Sequence, residues 1–134
     1  MKTEELRIGN YVKETVDNKA VTIASIIQVE RDIFDFEVKD SDGIFIDVED
    51  QIEPIPLTEE WLIKFGFEIY CDSSNYLSIY VENIGILYWS INEDLLRIEV
   101  LSRRNTSKLF KHVKSVHQLQ NLYFALTGKE LTIH

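Results

Sequence analysis

Two early runs repeat with a period of two. Phe34, Phe36 and Val38 are separated by Asp35 and Glu37, and Ile44, Ile46 and Val48 by Phe45 and Asp47. Side chains of a strand alternate between its two faces, so this period of two predicts β-structure. Between the runs lies Asp40-Ser41-Asp42-Gly43, whose Asp-Gly step suits a hairpin turn. Upstream, Val21 to Val29 is rich in β-branched residues, and Leu6, Ile8 and Val12 surround Gly9-Asn10. Four or five short strands are expected in residues 6–53, forming a small bent sheet of SH3-like barrel type.

The pattern changes at Pro54 and Pro56, the only prolines in the chain. Proline fixes φ and disfavours helix in the residue before it, so 54–57 reads as an extended connector between two lobes. Thr58 then has the chemistry of a helix N-cap, with Glu59 and Glu60 in the first turn. Trp61, Leu62 and Phe65 give this short helix an apolar side, and Gly66 suits its C′ position. Phe67–Asp72, Tyr76–Glu82, Ile84–Ser90 and Leu95–Leu101 are four candidate strands. The breaks between them are too short for parallel crossovers, so an antiparallel meander is expected. Residues 108–114 are a candidate fifth, edge strand.

The last element has the clearest pattern. Ser115 and Gln118 form a capping box, and Val116, Leu119, Leu122, Tyr123 and Leu126 recur at helical spacing up to Gly128. Leu119, Leu122, Tyr123 and Leu126 should face inward. His117, Gln120, Asn121 and Phe124 fall on the opposite face. The expected fold class is α+β: a β-rich lobe at 1–53, a connector at 54–57, and a lobe at 58–134 with helix, four-stranded meander and closing helix packed on the sheet.

Charge adds one feature. The chain of 134 residues carries a net −9. Residues 1–100 hold 8 Lys/Arg and 22 Asp/Glu, a net −14, whereas residues 101–134 hold 6 and 1, a net +5. The molecule as a whole should repel nucleic acid and anionic membranes, while the basic end can mark a partner surface or simply neutralise the body. The longest apolar runs are far short of the roughly 20 residues a span requires. Met1 to Glu5 lacks the apolar core of a signal peptide, and the single Cys71 excludes an intrachain disulfide. A soluble cytoplasmic protein is expected.

Candidate chemistry is sparse. His112, His117 and His134 show no helical zinc spacing. His117 lies in the first turn of the last helix, where free N–H groups favour an anion, but it also reads as an ordinary helix-end residue. Cys71 has no base beside it in sequence and reads as a small hydrophobe. Ten acids lie between Glu30 and Glu53, yet Val38 would occupy the first ligand position of a calcium loop. They read as a solvated sheet face, with DNA mimicry as a bolder alternative. No glycine-rich phosphate loop or nucleophile elbow occurs, and no cofactor is expected.

Three stretches carry a resemblance: Glu5-Leu-Arg-Ile-Gly-Asn-Tyr-Val12, Ile52-Glu-Pro-Ile-Pro-Leu-Thr-Glu-Glu-Trp-Leu-Ile-Lys-Phe-Gly-Phe67, and Val116-His-Gln-Leu-Gln-Asn-Leu-Tyr-Phe-Ala-Leu-Thr-Gly-Lys-Glu-Leu131. In these the chain resembles a group of uncharacterised short proteins of gut anaerobic bacteria and their phages or mobile elements. The resemblance implies a mobile-element context and no activity.

These readings lead to a non-catalytic interaction or accessory protein with a protein partner. The candidate surface is Arg103, Arg104, Lys108, Lys111 and Lys114 together with His117, Gln120, Asn121 and Phe124. Nucleic-acid binding through 103–114, with Phe110 interleaved among the cations, is the alternative. Most other aromatic residues are expected in the core.

Overall fold

A computed structural model describes residues 6–31, 33–48, 51–69, 75–100 and 107–133. The fold is α+β, built from antiparallel sheets and two helices. The chain divides into two compact units, Met1–Pro56 with Ser115–Asn121, and Leu57–Lys114 with Leu122–His134. The first lobe, read as 1–53 from sequence, therefore also takes in a C-terminal segment.

The first unit contains β1 (Tyr11–Glu14), β2 (Lys19–Glu30), β3 (Ile33–Lys39), β4 (Phe45–Asp47) and β5 (Ile52–Glu53). Their order is β4-β3-β2-β1-β5, with every pairing antiparallel. Strand β5 returns to β1, pairing Lys13 with Glu53. The expected barrel is not closed by hydrogen bonds, because β4 and β5 occupy opposite edges of the sheet. A register shift between Ile23 and Ser25 interrupts the long strand β2, a device that bends a strand. One face of the sheet supplies the core: Val12, Val21, Ile23, Phe36 and Val38 cluster with Leu6, Val48 and Ile52.

Side-chain oxygens satisfy the turns. The buried Glu14 carboxylate accepts from the Val16 and Asp17 N–H groups, where Asn18 takes a positive φ of 56°. Asp40 accepts from Ile44 N and Asp42 N, each at 2.9 Å, and Lys19 Nζ lies 3.7 Å from its Oδ2. The Ile44 N–H, then the Asp42 N–H and Lys19, hold the Asp40 carboxyl below its ordinary value.

The second unit contains α1 (Glu59–Lys64), β6 (Glu68–Ile69), β7 (Tyr76–Val81), β8 (Gly85–Ser90), β9 (Leu95–Val100) and β10 (Ser107–Phe110). Thr58 Oγ1 accepts from Trp61 N at 3.4 Å, as expected of an N-cap. Gly66, at φ +96°, donates to Ile63 O while Phe67 N donates to Leu62 O. This paired pattern is a Schellman ending, in which glycine adopts positive φ without the steric cost of a Cβ. The meander has the order β10-β9-β8-β7-β6; the edge strand expected at 108–114 is present as β10 but ends at Phe110. At Gly85 the reason for glycine is proximity: a Cβ there would lie 1.8 Å from the Glu99 carbonyl oxygen.

Helix α2 (Val116–Thr127) closes the chain. Its capping box is visible in the bond from Ser115 N to Gln118 Oε1, 3.1 Å. Leu119 is fully buried, and Leu122, Tyr123 and Leu126 are half-buried. Among the described residues, no helix is long and apolar enough to cross a membrane.

Candidate functional site

The meander of the second unit has two unlike faces. Leu77, Val81, Leu87, Trp89, Leu96 and Ile98 are buried on one. Alternation sends Tyr76, Ser78 and Tyr80 of β7, Ile86 and Tyr88 of β8, and Arg97 and Glu99 of β9 to the other. Tyr88 lies between Ser78 and Arg97, and Ile86 between Tyr80 and Glu99. Tyr88 is therefore diagonal to both Tyr76 and Tyr80, and side chains of this length meet at that spacing.

The rings of Tyr76 and Tyr88 do meet, edge to face, with centroids 6.4 Å apart and planes at 79°. The Tyr88 hydroxyl donates to Glu99 Oε2 at 3.2 Å, which orients the central ring. Tyr80 is 60% exposed and Tyr76 41%. Among the described residues the face thus presents apolar rings with polar tips beside one cation, Arg97, and two carboxylates, Glu68 and Glu99. It adjoins an open recess of about 870 Å³, lined by Tyr80, Glu82, Asn83, Tyr123, Thr127 and Lys129 among others.

This face was missed in the sequence reading, which assigned most aromatic residues to the core. Its signal is the run Tyr76-Leu-Ser-Ile-Tyr-Val81. If Leu77, Ile79 and Val81 point inward, both tyrosines must point out.

The residues singled out from sequence fall in both units. Lys108, Lys111 and Lys114 are exposed on and after β10. Phe110 is only 8% exposed, beneath Lys108 Nζ at 5.6 Å and with His112 edge-on at 6.2 Å. The aromatic ring expected among the cations is therefore not presented for stacking on a base. Lys114 Nζ donates to the Asp94 carbonyl at 2.9 Å. Arg103, Arg104, Cys71 and His134 lie outside the described residues.

The polar face of α2 also departs from expectation. His117 and Gln120 are each 1% exposed, so they form no open surface. The His117 Nδ1 atom lies 3.2 Å from Ser115 Oγ. Gln120 accepts from Tyr11 N at 2.8 Å and donates to Gly9 O at 3.1 Å. Asn121 Oδ1 accepts from Arg7 Nε at 2.8 Å and from Asn10 Nδ2 at 2.9 Å. Asn10 Oδ1 in turn accepts from Arg7 N at 2.7 Å. These amides stitch the Arg7–Tyr11 segment to the start of α2 within the first unit. Phe124, in the second unit, is 40% exposed and keeps its candidacy.

Among the described residues, no group of three or more His, Cys, Asp and Glu side chains is placed to hold a metal ion. No protein-family profile, curated protein or solved structure matches the chain.

Proposed function

We propose that this chain is a non-catalytic interaction protein that docks a protein partner on the tyrosine-bearing face of its second sheet. The observation that carries the reading is the group of Tyr76, Tyr80 and Tyr88 on adjacent strands, two of them substantially exposed. Tyrosine brings a large ring with few rotatable bonds and a polar tip, which makes it a frequent anchor in protein interfaces. Charge supports a protein over a nucleic acid at this face. Among the described residues one arginine stands against two glutamates there, which gives a polyanion little attraction from those groups. The recess beside Tyr80 offers a place for a partner side chain. The accessory role extends to the phage or mobile-element context that the resemblance of the three sequence stretches implies.

The test is affinity capture from native cells with wild-type protein and with Tyr76→Ser/Tyr80→Ser. Both side chains are exposed, so the double variant should melt within a few degrees of wild type. A partner retained by wild type and lost by the variant supports the proposal. Retention by the variant, with loss instead on Lys108→Glu/Lys111→Glu, moves the docking surface to the basic strand and overturns it.

A further inference from the structure

Among the described residues the two sheets have four outer edges, and three of them are blunted by two-residue length, a proline or a lysine. Strand β5 is two residues long and runs directly into Pro54. Strand β6 is two residues long among the described residues. Strand β10 bears Lys108 and leads into Lys111. Short strands, prolines and lysines are the usual means by which sheet edges avoid pairing with other chains. Strand β4 is also short, at three residues, but it has no lysine and no proline, and the exposed Ile44 precedes it.

The hydrogen-bond phase of β4 determines what its edge offers. Asp40 N donates to Ile44 O and Val48 N donates to Phe36 O. In an antiparallel ladder, bonded pairs alternate with non-bonded ones. The pair Val38↔Ile46 is therefore bonded, while Lys39↔Phe45 and Glu37↔Asp47 are not. The N–H and C=O groups of Phe45 and Asp47 consequently point away from β3, out of the sheet. An added strand would find two donors and two acceptors in register. Phe45 is 57% exposed and Asp47 is also exposed.

The side chains beside that edge define its complement. Asp47 stands directly opposite Glu37, and Asp35 lies two residues further along the same face of β3. Like charges opposite each other on one face are unfavourable, and a cation placed across from Asp47 would relieve them. Phe45, already approached by Lys39 Nζ at 6.0 Å, presents an apolar ring two residues away. A second copy of this chain, paired antiparallel about Ile46, would set Phe45 rather than a cation across from Asp47 and leave the carboxylates unrelieved.

The geometry points to β4 as an acceptor for β-strand addition by an extended partner segment in which basic and apolar side chains alternate. Main-chain bonds to Phe45 and Asp47 supply the binding, and a Lys or Arg across from Asp47 and Glu37 supplies the preference. The site is in the first unit and is independent of the tyrosine face.

Peptides of alternating Lys-Val and Glu-Val, eight residues each with blocked ends, are the probes. Backbone amide NMR and hydrogen exchange on the full chain are the readouts. The Lys-Val peptide should shift and protect the Phe45 and Asp47 amides, with the Glu-Val peptide at least tenfold weaker. Phe45→Pro removes an outward N–H without removing a bond to β3, and should weaken binding at least tenfold. Asp47→Lys should shift the preference towards the Glu-Val peptide, and it serves if the proline variant does not fold. Tyr76→Ser/Tyr80→Ser should leave peptide binding unchanged. No protection at Phe45 and Asp47, equal binding of both peptides, or self-association through β4 without peptide would each overturn the inference.

Discussion

Replacing Gln120 with alanine tests whether the polar face of α2 is part of the fold. The Gln120 amide bridges Gly9 O and Tyr11 N at 3.1 and 2.8 Å, and its side chain is 1% exposed. Alanine leaves one backbone acceptor and one backbone donor without that partner. An unsatisfied buried polar group costs about 1–3 kcal/mol. Both bonds are only partly buried, so water can recover some of the loss, and the expected destabilisation is about 2–4 kcal/mol in total. A substitution on an open helix face would change stability by no more than about 0.5 kcal/mol. Urea denaturation followed by far-UV circular dichroism measures the difference, and amide exchange at Val12 and Ile23 assigns it to the first unit. Phe124→Ala, on the same helical face but exposed, should cost clearly less. A loss below about 0.5 kcal/mol for Gln120→Ala, or an equal loss for both variants, would refute the reasoning.

Gly85→Ala should destabilise the second unit by about 1–3 kcal/mol, because its Cβ would meet the β9 backbone at Glu99; thermal melting that matched wild type would contradict this. Thr58→Ala should cost about 1 kcal/mol through loss of the α1 N-cap, read by the same melting assay. Asp40 has a lowered folded pKa, so its contribution is complete above the unfolded value of about 3.9 and is lost as pH falls through the folded value. Asp40→Asn should therefore flatten the acid limb of the stability profile, and an unchanged limb would remove Asp40 from the account.

Local patterns in the chain were legible where their partners are also local. The Asp40–Gly43 turn, the Thr58 cap with its Gly66 ending, and the Ser115–Gln118 box all depend on neighbours within a few residues. The apolar side of α2 was legible for the same reason. Its polar side was not: Gln120 and Asn121 are satisfied by residues 109 to 114 positions away, and no periodicity encodes such a pairing. An amide that seals a fold and one that meets a partner look alike until the rest of the chain is in place.

The tyrosine face was partly legible. The alternation in β7 dictates that Tyr76 and Tyr80 share a side opposite Leu77 and Val81, and a compositional expectation that aromatic residues are core obscured it. The pairing of Tyr88 with Ser78 and Arg97 depends on register, which becomes definite only when the meander is built. The β4 edge likewise required the ladder phase before its outward groups were known.

The central claim is that a protein partner covers the outer face of β7 and β8. Amide hydrogen exchange of the chain with and without its captured partner tests this most directly. The account predicts slowed exchange at the β6–β7 and β8 amides around Tyr76, Tyr80 and Tyr88, with little change at Lys108–Lys114. Protection confined to Lys108–Lys114, or none on β7 and β8, would contradict it.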